Sequence, residues 1–280
     1  MWFSVGEEAT IMTQHEPLHP FPPSWADTRA TLHGYLLALG AVPRAHAAPQ
    51  PHWRHVGLRI AEEGFLTAPV TLPDGRALSL GLNPRDHVAW IDAGARHEIR
   101  LDTGITASDF GDEVLGEVVD LGLADDFDRD RYRSDAPSRY DRDAAGLFWG
   151  VLRSVQTVFE RYRDGLDRDP GPVLMWPHHF DMSFEWYGSK SIPGEGGSES
   201  PSQLNLGFYP GDEQYFYSNP WPFDDSLIGT ALPDGAAWHT DDWQGTILPY
   251  DALAGDPAWR ERLQDYAAAV HRVARPTLMA

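Results

Sequence analysis

The stretch Trp176-Pro177-His178-His179-Phe180-Asp181-Met182-Ser183-Phe184-Glu185-Trp186 places a polar, proton-active side chain at every second position from His179 onward. Side chains alternate across a β-strand, so the spacing predicts a strand over 178–187 with two unlike faces. Phe180, Met182, Phe184 and Trp186 form an apolar face that requires a core; His179, Asp181, Ser183 and Glu185 share the other. An imidazole, two carboxyls and a hydroxyl in one row can move protons. His179 would act as general base, Asp181 would orient it, and Glu185 would assist. His179, Asp181 and Glu185 are the candidate catalytic residues.

The following segments extend that face. Leu204, Leu206 and Phe208 alternate with Gln203, Asn205 and Tyr209, and Pro210-Gly211-Asp212-Glu213 reads as a turn. Tyr215 and Tyr217 then fall together, opposite Phe216. Neighbouring strands would bring Asn205, Tyr215 and Tyr217 to that face; these, with His178, Asp212 and Trp221, are the candidate ligand-binding residues. Two readings stay open. The row is either the solvent face of an antiparallel sheet, which is polar anyway, or the floor of a pocket. The absence of a basic side chain from the row favours the pocket.

A metal would need His and carboxylate ligands, because the chain has no cysteine. His179 and Asp181, two residues apart on one strand face, can reach a common ion, and His52 and His55 form an i, i+3 pair. These four are the candidate ligands of a divalent metal, although His-x-x-His is a common chance pattern among 12 histidines. The 11 tryptophans include Trp221, Trp238 and Trp243, set near Asp224, Asp225, Asp241 and Asp242. Aromatic faces beside carboxylates suit a sugar or a cation, or the rings simply fill gaps under an irregular 220–244 loop. No glycine-rich phosphate loop, dinucleotide fingerprint, nucleophile elbow or His-Glu-x-x-His occurs, so no nucleotide cofactor is indicated.

The elements that must position these residues read as α+β: mainly antiparallel sheets against four principal helices, in two helix–strands–helix halves. Helical spacing predicts helices over 25–40, capped by Ser24, then 108–122, 143–166 and 257–274. The 143–166 segment has the strongest stripe (Leu147, Phe148, Val151, Leu152, Val155, Val158, Phe159, Tyr162), with Asp141 or Asp143 as cap. A Pro/Ala-rich connector is expected over 41–51. Period-two runs from 53 to 101, with an Asp74-Gly75 turn, predict a four- or five-stranded meander. The Asp- and Arg-rich 125–140 stretch reads as an exposed connection, and 189–202 as a flexible loop. The expected organisation is an irregular tail over 1–23, one α+β domain over 24–274 (with halves 24–124 and 140–274 as the alternative), and a tail over 275–280.

Composition bounds the function class. A net charge of −20 disfavours nucleic acid and anionic membrane as partners. No apolar run is long enough for a membrane helix. The first residues lack a basic region followed by an apolar one, and Met12 is an alternative start to Met1. Freedom from cysteine fits a reducing cytoplasm. Lys190 is the single lysine among 22 basic residues, a skew typical of a GC-rich genome.

Trp176-Pro177-His178-His179-Phe180-Asp181, Gly207-Phe208-Tyr209-Pro210-Gly211-Asp212-Glu213 and Tyr215-Phe216-Tyr217-Ser218-Asn219-Pro220-Trp221-Pro222 together resemble a pattern in a family of uncharacterised bacterial proteins. Leu32-His33, His52-Trp53-x-His55-Val56 and Leu248-Pro249-Tyr250-Asp251 are similar to its motifs as well. Arg54 departs from the pattern, standing where an aromatic is expected. The resemblance spans about residues 24–273 and implies one cooperative unit, but no reaction, cofactor or oligomeric state. The function expected from the residues is an enzyme, hydrolysis foremost, acting on a small polar molecule at the 178–187 face. The alternatives are a non-catalytic small-molecule-binding protein, or a structural or interaction protein without an active site.

Overall fold

The computed structural model describes residues 17–193 and 199–280. His15 and most of the expected N-terminal tail, and the tip of the expected 189–202 loop, lie outside the described residues.

The chain runs α1 (Trp25–His46), β1 (Leu58–Ala61), β2 (Gly64–Leu66), β3 (Val70–Thr71), β4 (Ala77–Asn83), β5 (Val88–Asp92), β6 (Arg96–Arg100), α2 (Ala107–Asp120) and α3 (Arg142–Arg163). Then follow β7 (Leu174–Trp176), β8 (Asp181–Pro193), β9 (Glu199–Pro210), β10 (Gln214–Ser218), β11 (Pro220–Trp221), β12 (Ala237–His239), β13 (Gly245–Pro249) and α4 (Trp259–Leu278). The fold is α+β. Its strands form one sheet in the order β12-β13-β10-β9-β8-β7-β1-β2-β4-β5-β6. The two helix–strands–helix stretches are fused where β1 pairs antiparallel with β7, Leu58 opposite Met175.

Local chemistry explains most boundaries. The Asp141 carboxylate accepts from the N–H groups of Asp143 and Ala144 and starts α3. Thr106 does the same for α2 through Asp109. Ser24, the expected cap of α1, makes no side-chain cap bond. Leu72 and Arg76 close the Asp74-Gly75 turn, where Gly75 takes φ +88° at no steric cost.

The helices cover the sheet face that carries Met182, Phe184 and Trp186, and one continuous core joins all four helices to the sheet. Phe159 of α3 meets Phe184 edge-on at 6.2 Å, and His271 of α4 meets Trp186 at 4.8 Å.

Four boundaries differ from the sequence reading. Helix α1 does not stop at Gly40 but runs through Pro43 to His46, closed by Ala47 N–H donating to the Pro43 carbonyl at 3.0 Å. Pro43 has no N–H to offer the preceding turn, and the burial of Ala41, Val42 and Pro43 offsets that loss. Within 189–202 the described residues are strand rather than loop, with Ser191–Pro193 of β8 paired to Glu199–Pro201 of β9 after a register shift between Tyr187 and Ser191. The 125–140 connection is not wholly exposed, because Phe127 and Tyr132 are buried. Residues 275–278 are not tail: α4 reaches Leu278, whose side chain is buried and whose carbonyl accepts from the buried Ser202 hydroxyl at 2.7 Å.

Truncation after Ala274 therefore removes a core leucine and strands a buried hydroxyl. Denaturant unfolding should show a loss on the order of 3 kcal/mol relative to the full chain. An unchanged midpoint would mean that these last residues do not pack as described.

Candidate functional site

Strand β8 begins at Asp181, not at His178, because Pro177–Phe180 form the turn between β7 and β8. The Phe180 N–H donates to the Trp176 carbonyl at 2.9 Å across this turn. Phe180 takes φ +58°, a conformation that costs a non-glycine residue about 1–2 kcal/mol. Full burial of its ring, stacked on Phe148 at 5.5 Å, offsets that cost. His33 of α1 braces the same turn, its Nε2–H donating to the Pro177 carbonyl at 2.9 Å. Gly40 leaves room for Pro177, since a Cβ there would stand 3.1 Å from the proline ring.

Beyond the turn, Asp181, Ser183 and Glu185 line a cleft of about 480 Å³ rather than a solvent face. Trp53, Trp176 and Tyr217 line it too, as do His178, His179 and Asn205. Asp181 is buried, 7% exposed. The Tyr217 hydroxyl donates to its Oδ2, while its Oδ1 has no hydrogen-bond partner. Tyr217 and Ser183 both stand opposite Gly207, one on each side of β9. A Cβ at Gly207 would lie 2.2 Å from the Tyr217 ring, so only glycine lets that ring cross β9 towards Asp181.

The rest of the floor is wired in sequence. Trp176 Nε1–H donates to Ser183 Oγ at 2.9 Å, and that hydroxyl points to Glu185 at a long 3.4 Å. Burial pushes the Asp181 carboxyl up to about 6, against the pull of its Tyr217 hydrogen bond. Burial, followed by the charge of Asp181, pushes Glu185 up to about 7. Burial and the Asp181 charge hold the Tyr217 phenol well above its ordinary value. Burial, and then its neighbour His179, lower the His178 imidazole and keep it neutral.

The expected site residues separate into groups. Asp181, Glu185, Asn205, Tyr217, His178 and His179 come together around the cleft. His179 sits exposed at the mouth with no hydrogen bond to Asp181, whose partner is Tyr217. The expected His179–Asp181 pair on one strand face is therefore corrected, because the turn takes His179 off the strand. Asp212 is exposed and paired with Arg29 at 2.8 Å, away from the cleft. Tyr215 packs against Tyr209 and Trp243 and does not line it. Trp221 lines an adjoining recess with His52, sharing Trp53 and Glu185 with the main cleft. Trp238 and Trp243 pack under the 220–244 stretch, against Phe223 and His239.

The four candidate metal ligands do not converge. His52 stacks on Tyr187 at 4.3 Å, and His55 Nδ1 accepts from the Gln50 N–H at 3.3 Å. Among the described residues no three His, Asp or Glu side chains are grouped to hold a metal ion.

Two arginines that the sequence reading did not single out also line the cleft, Arg44 from the last turn of α1 and Arg131 from the 125–140 connection. Arg44 lies eleven residues after His33, which is three helical turns. The helical repeat would have placed it on the His33 face had α1 been extended past Gly40. Residues 21–277 match a protein family described as a family of unknown function, DUF5996. The chain belongs to that family. No curated protein and no solved structure matches the chain. Among the described residues, no helix of this DUF5996 member is long and apolar enough to cross a membrane.

The raised carboxyls set a pH signature. A carboxyl whose folded pKa lies above its unfolded value binds more protons when folded, so its contribution favours folding at low pH. That contribution declines as pH rises from the ordinary value of 4.5 towards about 7 for Glu185. Glu185→Gln should therefore be more stable than wild type above about pH 7, by on the order of 2 kcal/mol. The gap should close towards about pH 4. Denaturant midpoints across that range check this, and a gap independent of pH would contradict it.

Proposed function

We propose that this protein is an enzyme that hydrolyses a small polar molecule in the cleft, with Asp181 and Glu185 as its proton-transfer pair. The supporting observation is the buried Asp181 carboxyl, fixed through one oxygen by Tyr217 and left without a partner on the other. Asp181, the lower of the two at about 6, is largely ionised at neutral pH and serves as general base. Glu185, at about 7, retains much of its proton and serves as general acid. Water attacks the electrophilic carbon as its proton passes to Asp181 Oδ1. The bond to the leaving oxygen or nitrogen breaks as that atom takes the Glu185 proton. Exchange with solvent then resets both carboxyls. His179 at the mouth is free to relay protons between the cleft and bulk water.

The net charge of −20 supports a small ligand over a polyanion or an anionic membrane, and the cysteine-free chain supports a reducing bacterial cytoplasm as its setting. A second reading, non-catalytic binding, uses the same cleft. It is favoured by Trp53, 64% exposed at the rim, which offers contact area without proton chemistry.

Incubation of the protein with a mixture of small polar metabolites, followed by mass spectrometry, separates the two. Wild type should convert at least one compound, and Glu185→Gln or Asp181→Asn should slow that conversion by about 10²-fold or more. Binding without conversion would establish the second reading instead, and conversion unaffected by either substitution would overturn the assignment of the pair.

A further inference from the structure

The cleft holds charges of both signs that the fold does not pair with each other. Arg44 and Arg131 line the main cleft and also a recess that adjoins it between α1 and the 125–140 connection. Acids stand near this end, but each is taken. Asp128 accepts from Arg131 at 2.9 Å, and Asp126 pairs with His46 at 3.0 Å. Arg44 makes no direct hydrogen bond or ion pair among the described residues; burial, and then the charge of Arg131, disfavour its charged form, and the more distant charge of Asp128 partly offsets them. In a chain with 42 acidic residues, an arginine that faces a cleft with no carboxylate bonded to it is suited to receive an anion.

The opposite sign is left open on the floor. Glu185 feels the charge of Arg54, whose own Nη2 reaches the Tyr187 hydroxyl at 3.4 Å. Asp181 is 93% buried by its 7% exposure, has only the neutral Tyr217 on Oδ2, and has nothing on Oδ1. A buried carboxylate without a cationic partner is costly, and a ligand cation would relieve that cost. Arg44 and Asp181 line one cleft yet form no ion pair with each other, so they are held apart. Trp53 and Trp176 line the same space and suit an ammonium or its alkyl chain.

We propose that the ligand is a small zwitterion, its carboxylate or other anionic group at Arg44 and Arg131 and its ammonium at Asp181. The inference rests on the reading of the cleft as the ligand site and names the chemical class that fills it. An ammonium on Asp181 Oδ1 takes the oxygen that the hydrolytic step needs for its water, so a zwitterion held this way goes with the binding reading of the cleft.

The test uses ω-amino acids of increasing length, from glycine through γ-aminobutyrate to ε-aminohexanoate. Each is compared with the alkylamine and the carboxylate of the same carbon skeleton. Saturation-transfer NMR and calorimetry measure binding to the full chain. At least one ω-amino acid should bind about tenfold or more tightly than both of its single-charge counterparts. Arg44→Gln, at an exposed position, should remove the advantage over the amine and leave amine binding unchanged. Asp181→Asn should remove the advantage over the carboxylate; should that variant fail to fold, Arg44→Gln decides alone.

Equal binding of a single-charge compound, or zwitterion binding unaffected by Arg44→Gln, overturns the proposal. Uncharged sugars or amides that bind the cleft while no zwitterion does would overturn it and leave the cleft as the ligand site. Zwitterion binding without conversion upholds it and removes the enzymatic reading. Absence of binding by all of these compounds overturns both.

Discussion

A carboxyl buried on a sheet face is the constraint around which this molecule is arranged. Asp181 costs free energy wherever water is excluded, and the fold meets only part of that cost through the Tyr217 hydroxyl. That single contact depends on three adjacent strands in one register: Ser183 on β8, Gly207 on β9 and Tyr217 on β10. A side chain at position 207 would block the phenol, and a one-residue slip of β8 would turn Asp181 into the core and Met182 into the cleft. The core therefore fixes the register, and the register fixes the site.

The anchoring of the preceding turn follows the same logic. Phe180 accepts a left-handed backbone because its ring has a place among Trp25, His33 and Phe148. Strain of this kind persists only where packing over-determines it. Two further residues with positive φ, His52 and Trp53, shape the rim of the cleft. One of them rests on Tyr187 and the other projects its indole outward. Three of the six non-glycine residues with positive φ among the described residues thus stand beside the cleft, while His87, Arg168 and Asp169 do not line it.

Much of this was legible in the sequence. Alternation over 180–186 carried the division of β8 into a core face and a polar face, and the Asp74-Gly75 turn was readable from residue type alone. The cap of α3 was readable only as Asp141 or Asp143, and the structure selects Asp141. The start of β8 was misplaced because His178, His179 and Phe180 continue the alternation of residue types while the backbone is turning. Sequence periodicity cannot see a left-handed phenylalanine. The end of α1 was misplaced because Gly40 reads as a helix stop and Pro43 as part of a connector, and this hid Arg44. Arg131 was unreadable for a different reason: it reaches the cleft on an irregular segment anchored by two buried aromatics, Phe127 and Tyr132. Whether the polar face looked into water or into a pocket depended on these two distant segments, and no local pattern encodes that.

The central claim is that the floor of the cleft is a desolvated pair of carboxyls working near neutral pH. Carbon-13 NMR titration of the Asp and Glu side-chain carboxyls, with Asp181→Asn and Glu185→Gln to assign the two signals, tests it directly. Two resonances with midpoints displaced to about 6 and about 7 are expected. Titration of both residues near about pH 4, the ordinary carboxyl range, would mean that the floor is hydrated and would contradict the claim.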